Sequence, residues 1–139
     1  MSNIYTDMCA DLFHYGHVNI LKNAKQLVGE DGNLIVGIHS DKTIESYKRK
    51  PIMTMEERIA VVEACRYVDR VILDAPLVIT EDYIKNNNID MVVHAHPENE
   101  DEKYQKMYEI PTKLGIFKRL EYTPSISTTN IISRLTEQN

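Results

Sequence analysis

The sequence predicts an α/β chain: a five-stranded parallel sheet with helices on both faces. Three observations carry that expectation. Residues 34–38 (LIVGI) are apolar throughout, as a strand covered on both sides requires. Short apolar runs alternate from end to end with stretches whose apolar residues recur every three to four positions, the order that yields strand–helix–strand crossovers. Finally, 139 residues suffice for one contiguous core, and no linker or internal repeat divides them. Residues 1–139 are therefore expected to form a single domain.

The elements follow in order. Residues 4–9 (IYTDMC) make the first extended run. A helix over about 17–27 places Ile20, Leu21, Ala24 and Leu27 on one face. The second strand is 34–38, and 40–50 is a polar, basic loop closed by Pro51. The next helix begins at Thr54, which stands at capping-box spacing from Glu57, with Ile59, Val62 and Ala64 following. Residues 68–73 form the third strand. Thr80 caps a short helix ending in the asparagines 86–88, which tolerate a left-handed turn. The fourth strand is 91–94. Residues 97–113 are acidic and tyrosine-bearing and receive no assignment. The fifth strand is 117–122, and Ser127 or Thr128 caps a last helix carrying Ile131, Ile132 and Leu135. Such a Rossmann-like sheet binds ligands at the carboxyl ends of its strands.

The formal net charge of −5 argues against a nucleic-acid partner held by a broad basic surface, and leaves room for a small anion held by a few donors. No segment is apolar for long enough to cross a bilayer, and the first residues lack the basic start and apolar core of an export signal. The expectation is a cytoplasmic protein with no membrane partner. Cys9 and Cys65 match no metal-ligand spacing and read as reduced thiols.

The chemistry concentrates at His14-Tyr15-Gly16-His17, between the first strand and the first helix. A helix N-terminus presents N–H groups and the positive end of a dipole, which suits a phosphate chain. A glycine lets the backbone approach such a ligand closely. Two imidazoles three residues apart can then donate to phosphate oxygens as charge grows on them. The competing readings are one core and one capping histidine, or a metal pair whose third ligand the spacing does not fix.

The run CADLFHYGH resembles the signature of the HxGH nucleotidyltransferase superfamily. The resemblance continues through LIVGIHSD (34–41), residues 48–51, MEER (55–58) and CRYVDRVI (65–72), and ends at ISTTNII (126–132). CRYVD together with ISTT is similar to cytidylyltransferases acting on phosphocholine, phosphoethanolamine and glycerol 3-phosphate.

That resemblance implies in-line attack of an acceptor phosphate on the α-phosphorus of CTP, assisted by Mg²⁺, with pyrophosphate leaving and no covalent intermediate. Catalysis is then positioning plus charge stabilisation. His14, His17 and Lys48 take the catalytic places, Lys48 as the lysine of a mobile loop reaching between acceptor phosphate and α-phosphate. Cys9, Ala10, Asp11, Gly16, Arg66, His94, Ser127, Thr128 and Thr129 take nucleotide-binding places, with Asp11 ordering the turn. Lys50 and Arg58 join Lys48 on the acceptor, and Arg49 assists. No dedicated protein metal cluster is expected. A homodimer is implied as well.

The chain departs from the pattern at Ala10, where an aromatic is usual and a wider pocket is expected. Tyr122 replaces an arginine, Pro124-Ser125 replaces Glu-Gly, and His94-Ala95-His96-Pro97 replaces an acidic pair. Ala10, the SYKR loop and Tyr122 resemble phosphonate-associated cytidylyltransferases, whereas 74–76 and 79–81 look more like the phosphoethanolamine and phosphocholine enzymes. The acceptor is a small phosphorylated or phosphonylated alcohol and is left open between them. His94 and His96 are either structural or in contact with cytosine or acceptor. Tyr104 and Tyr108 are packing or subunit-contact residues, or an aromatic wall for a cationic amine. An adenylyltransferase and a non-catalytic CTP-binding homologue are the alternative functions.

Overall fold

A computed structural model describes residues 2–124 and 126–138. Its centre is one sheet of five parallel strands: β1 (Asn3–Met8), β2 (Asn33–Ile38), β3 (Arg70–Leu73), β4 (Met91–Ala95) and β5 (Phe117–Leu120). The spatial order is β3-β2-β1-β4-β5. The pairing of β1 with β2 runs unbroken from Asn3↔Asn33 to Met8↔Ile38. The order reverses between β1 and β4, and a crevice opens at such a switch point outside the strands' carboxyl ends.

Strand periodicity divides the core in two. Ile4, Leu34, Val36, Ile38 and Val93 face one side, where Leu21 and Ala24 of α1 (Tyr15–Val28) and Val62 of α3 (Met55–Glu63) cover them. Tyr5, Ile35 and Val92 face the other, against Ile84 of α4 (Glu81–Asn86) and Tyr108. Helices therefore cover both faces, as the all-apolar 34–38 run requires.

Side-chain caps set the helix starts. Thr54 and Glu57 form the expected reciprocal box at 3.2 and 2.9 Å. Thr80 caps α4 and Ser127 caps α7 (Thr128–Glu137). Asn88 takes the left-handed turn at φ 54°.

Five segments differ from the sequence reading, and the first is β5, which ends at Leu120 instead of Tyr122. α1 begins two residues early because His14 is itself its N-cap. The 40–50 loop opens with a short helix, α2 (Asp41–Glu45), capped by Ser40 and anchored by the fully buried Ile44. β3 starts at Arg70, since Val68 N–H is spent on the Cys65 carbonyl in a turn. The unassigned acidic segment folds as a 3-10 turn (Glu98–Glu100), α5 (Asp101–Tyr104) and α6 (Glu109–Lys113).

Candidate active site

A cavity of about 440 Å³ opens at the switch point. The carboxyl ends of β1 and β4, the start of α1, the 47–49 loop and the start of α7 all border it.

One end of the cavity is the histidine turn. Gly16 N–H donates to His14 Nδ1 at 3.0 Å, and His14 N–H donates to His17 Nδ1 at 3.0 Å. A ring nitrogen that accepts carries no hydrogen, so both imidazoles hold theirs on Nε2. Burial lowers the His14 pKa. Burial, and then the neighbouring His14 and Lys48, depress His17 to about 3. Two neutral rings with centroids 4.0 Å apart thus offer two Nε2–H donors. A Cβ on Gly16 would stand 2.7 Å from His14 Cε1 and 3.2 Å from Ile126 Cγ2, so only glycine leaves the His14 ring in place. The histidines are caps and pocket donors at once, and the two readings left open by the sequence are compatible.

Asp11 joins this end to two distant segments. Its buried carboxylate accepts from Ile52 N–H (2.8 Å) and Met53 N–H (2.9 Å), and its carbonyl accepts the Thr128 hydroxyl (2.8 Å). Ala10 and Leu12 flank it at φ 59° and 48°, a left-handed backbone that the completely buried Ala10 adopts with little side chain to accommodate. Ser127 Oγ accepts from Asn130 N–H, and Thr129 also lines the cavity. The Thr128 hydroxyl hydrogen is committed to Asp11, so Thr128 offers the cavity its helix-start backbone rather than that donor.

The other end is a floor of buried titratable groups. Asp7 accepts the Tyr108 hydroxyl at 2.6 Å and faces His39 Nε2 at 3.3 Å. Burial alone would raise the Asp7 carboxyl, but the His39 and Tyr108 contacts outweigh it and hold the group below its usual range. Burial keeps the Tyr108 phenol protonated, so it donates. His39 Nδ1 meets the Tyr47 hydroxyl at 2.8 Å. His94 packs on Tyr104 and Tyr108 with centroids 4.8 and 4.9 Å away, and burial depresses it to about 4. Its Nδ1 lies 2.8 Å from His96 Nδ1, and His96 Nε2 lies 2.6 Å from Asp101 Oδ1.

The cavity collects Cys9, Ala10, Asp11, His14, Gly16, His17, Lys48, His94, Ser127, Thr128 and Thr129 from the expected residues, together with Arg49 and Tyr122. Three others stand elsewhere. Arg58 is fully buried beneath the site: its Nη1 donates to the Cys9 and His39 carbonyls at 2.7 and 2.9 Å and its Nη2 to Asp41 at 2.6 Å. Arg66 is exposed over the Tyr67 ring, and Lys50 is exposed outside the cavity. Arg58 therefore organises the pocket wall instead of meeting an acceptor. Ser125 lies outside the described residues. Tyr104 and Tyr108 do form a wall of the cavity. Sequence reasoning missed Asp7, His39 and Tyr47. The one available signal was an acidic residue inside an apolar strand, which is costly unless partnered.

Comparison with known proteins identifies the family. The cytidylyltransferase-like family profile matches residues 5–134, and the chain belongs to that family. It is 40% identical over 139 residues to the probable ethanolamine-phosphate cytidylyltransferase of Encephalitozoon cuniculi, covering all of this chain and 42% of that protein. It is 36% identical over 132 residues to the ethanolamine-phosphate cytidylyltransferase of Dictyostelium discoideum (95% of this chain, 36% of that one). It is 35% identical over 132 residues to human choline-phosphate cytidylyltransferase A, with the same two shares, 95% and 36%. The chain thus spans about two fifths of the length of these curated relatives. Among solved structures, the lipopolysaccharide core biosynthesis protein of Thermoplasma volcanium superposes with a TM-score of 0.70 at 25% identity, over 88% of this chain and 98% of that one.

Proposed function

We propose that this cytidylyltransferase-like chain transfers CMP from CTP to a small phospho-alcohol carrying an ammonium group, with phosphoethanolamine the preferred acceptor. The observation that carries the reading is one cavity with opposite ends: two neutral Nε2–H donors at a helix start, and a buried ionised carboxylate walled by tyrosines. The first suits a triphosphate and the second suits a cation. The names of the relatives at 33–40% identity support the same pairing.

In this reading the starts of α1 and α7 hold the β- and γ-phosphates. His14 and His17 donate to oxygens that gain charge as the acceptor phosphate attacks the α-phosphorus and pyrophosphate departs. Lys48 bridges acceptor phosphate and α-phosphate, and Asp7 fixes the acceptor's ammonium. Among the described residues no group of three metal-ligating side chains converges, and both Asp11 oxygens are taken by backbone amides. Mg²⁺ needs few protein ligands when phosphates supply its oxygens, so it would enter with CTP and would neutralise charge on the departing pyrophosphate. The family resemblance also supports a cytoplasmic homodimer, which sedimentation would check.

The test is pyrophosphate release and product mass with CTP, Mg²⁺ and a panel of phosphoethanolamine, phosphocholine, 2-aminoethylphosphonate and glycerol 3-phosphate. Turnover is expected to be fastest with phosphoethanolamine. Preference for glycerol 3-phosphate, which brings Asp7 no cation, would remove the acceptor assignment. Faster reaction with ATP than with CTP would make the chain an adenylyltransferase. CTP binding without turnover of any acceptor would leave it a nucleotide binder.

A further inference from the structure

The 46–53 loop carries Lys48 and is pinned at two places. At its far end the Ile52 and Met53 amides rest on Asp11. At its near end, Tyr47 N–H and Lys48 N–H both donate to the carbonyl of buried Ile44 at 3.1 and 2.9 Å, and the Tyr47 side chain turns inward. There its hydroxyl meets His39 Nδ1 at 2.8 Å, while His39 Nε2 faces Asp7. An ionised carboxylate only accepts, which puts the His39 hydrogen on Nε2 and leaves Nδ1, in the neutral ring, to accept the Tyr47 O–H. The Tyr47 ring in turn lies under Lys48, whose Nζ is 5.7 Å from its centroid.

We propose that Tyr47 and His39 are positioning residues for Lys48. The Asp7–His39–Tyr47 chain ties the lysine loop to the floor of the cavity, and the tethered ring sets where the Lys48 ammonium stands. The inference rests on the reading that Lys48 serves the reaction. It adds that the cation-binding floor and the phosphate-bridging lysine are parts of one hydrogen-bonded unit. Burial keeps the Tyr47 phenol protonated, so its hydroxyl hydrogen is available to His39.

Tyr47→Phe retains the ring and removes only the tether. It is expected to lower kcat three- to tenfold, the loss of about one hydrogen bond, with KM for CTP within about twofold of the parent. His39→Gln, whose amide can donate to Asp7 and accept from Tyr47, is expected to retain most of the activity that His39→Leu loses. In a Lys48→Ala background Tyr47→Phe should cost nothing further, because its effect passes through the missing lysine. A cost that adds in full to that of Lys48→Ala, or an unimpaired Tyr47→Phe, overturns the positioning role and leaves the function of Lys48 standing. An unimpaired Lys48→Ala overturns both. A readout independent of turnover is amide hydrogen exchange in the ligand-free protein. Faster exchange at residues 47–50 in Tyr47→Phe supports the tether, and unchanged exchange overturns it.

Discussion

The two ends of the cavity solve opposite problems by opposite means. The histidine end is local: His14, Gly16 and His17 lock one another across three residues and present uncharged N–H groups at a helix start. The floor is assembled across the chain. Asp7 comes from β1, His39 follows β2, His94 sits on β4, and Tyr108 reaches Asp7 over 101 residues of sequence. In the proposed reading, the anion is received by pre-aimed N–H dipoles that carry no charge. The same reading has the cation received by a full charge whose burial is offset by a phenol and an imidazole. Between the ends stands Arg58, with one Nη bonded to the carbonyls of both Cys9 and His39.

Breaking the tie between the ends should have the largest effect. Arg58→Met leaves the Cys9 and His39 carbonyls without their buried donor and Asp41 without its partner. A loss of about 3–5 kcal/mol of unfolding free energy is expected, measured by denaturant titration. A loss below 1 kcal/mol would mean that the ends hold their places independently.

Next in size are changes confined to one end. His17→Ala removes one transition-state donor, for which a kcat loss of about 10²–10³ is expected. Gly16→Ala should approach it, since the added methyl displaces the His14 ring by contact rather than by chemistry. Both should leave the acceptor KM within a few-fold of the parent. Asp7→Asn should do the reverse, raising the phosphoethanolamine KM about 10- to 100-fold for a lost charge-assisted contact while CTP binding is retained. Equal effects of Asp7→Asn on phosphoethanolamine and glycerol 3-phosphate would dissolve the distinction between the ends.

The same contrast explains what the sequence disclosed. Helix starts at Thr54, Thr80 and Ser127, the left-handed Asn88 and the histidine turn were legible because each is written within four residues. The floor was not, because its partners meet only once the sheet is paired. Arg58 illustrates the limit: arginine in a motif points to an anion, and only the fold shows two backbone carbonyls and Asp41 already occupying it. The α2 helix was missed since five residues carry too little periodicity, although Ser40 capped it in plain view. Tyr104 and Tyr108 left open a choice between packing and pocket that their distance from Asp7 in sequence could not resolve.

The smallest expected effect is also the one that weighs the two ends against each other. Each holds a histidine that burial depresses strongly, His17 at about 3 and His94 at about 4, and burial lowers His14 beside His17 as well. Their unfolded counterparts titrate near 6.5, so the unfolded chain takes up protons that the folded one refuses. The sign follows: stability is complete above about pH 6.5 and falls as pH drops towards 4. Asp7 and Asp69, held below the usual carboxylate range, begin to withdraw their own contributions only below that window. From pH 7 to 5 each histidine should cost about 1–2 kcal/mol of unfolding free energy. His17→Gln and His94→Gln should each remove part of that slope, and the double variant should leave only the share of His14. Turnover of the parent should show no rising limb near pH 6.5 that depends on His17, because the donors of the histidine end are already neutral there. A limb at that pH, vanishing in His17→Gln, would show that the turn is charged in the working enzyme and that the two ends differ less than their hydrogen bonds indicate.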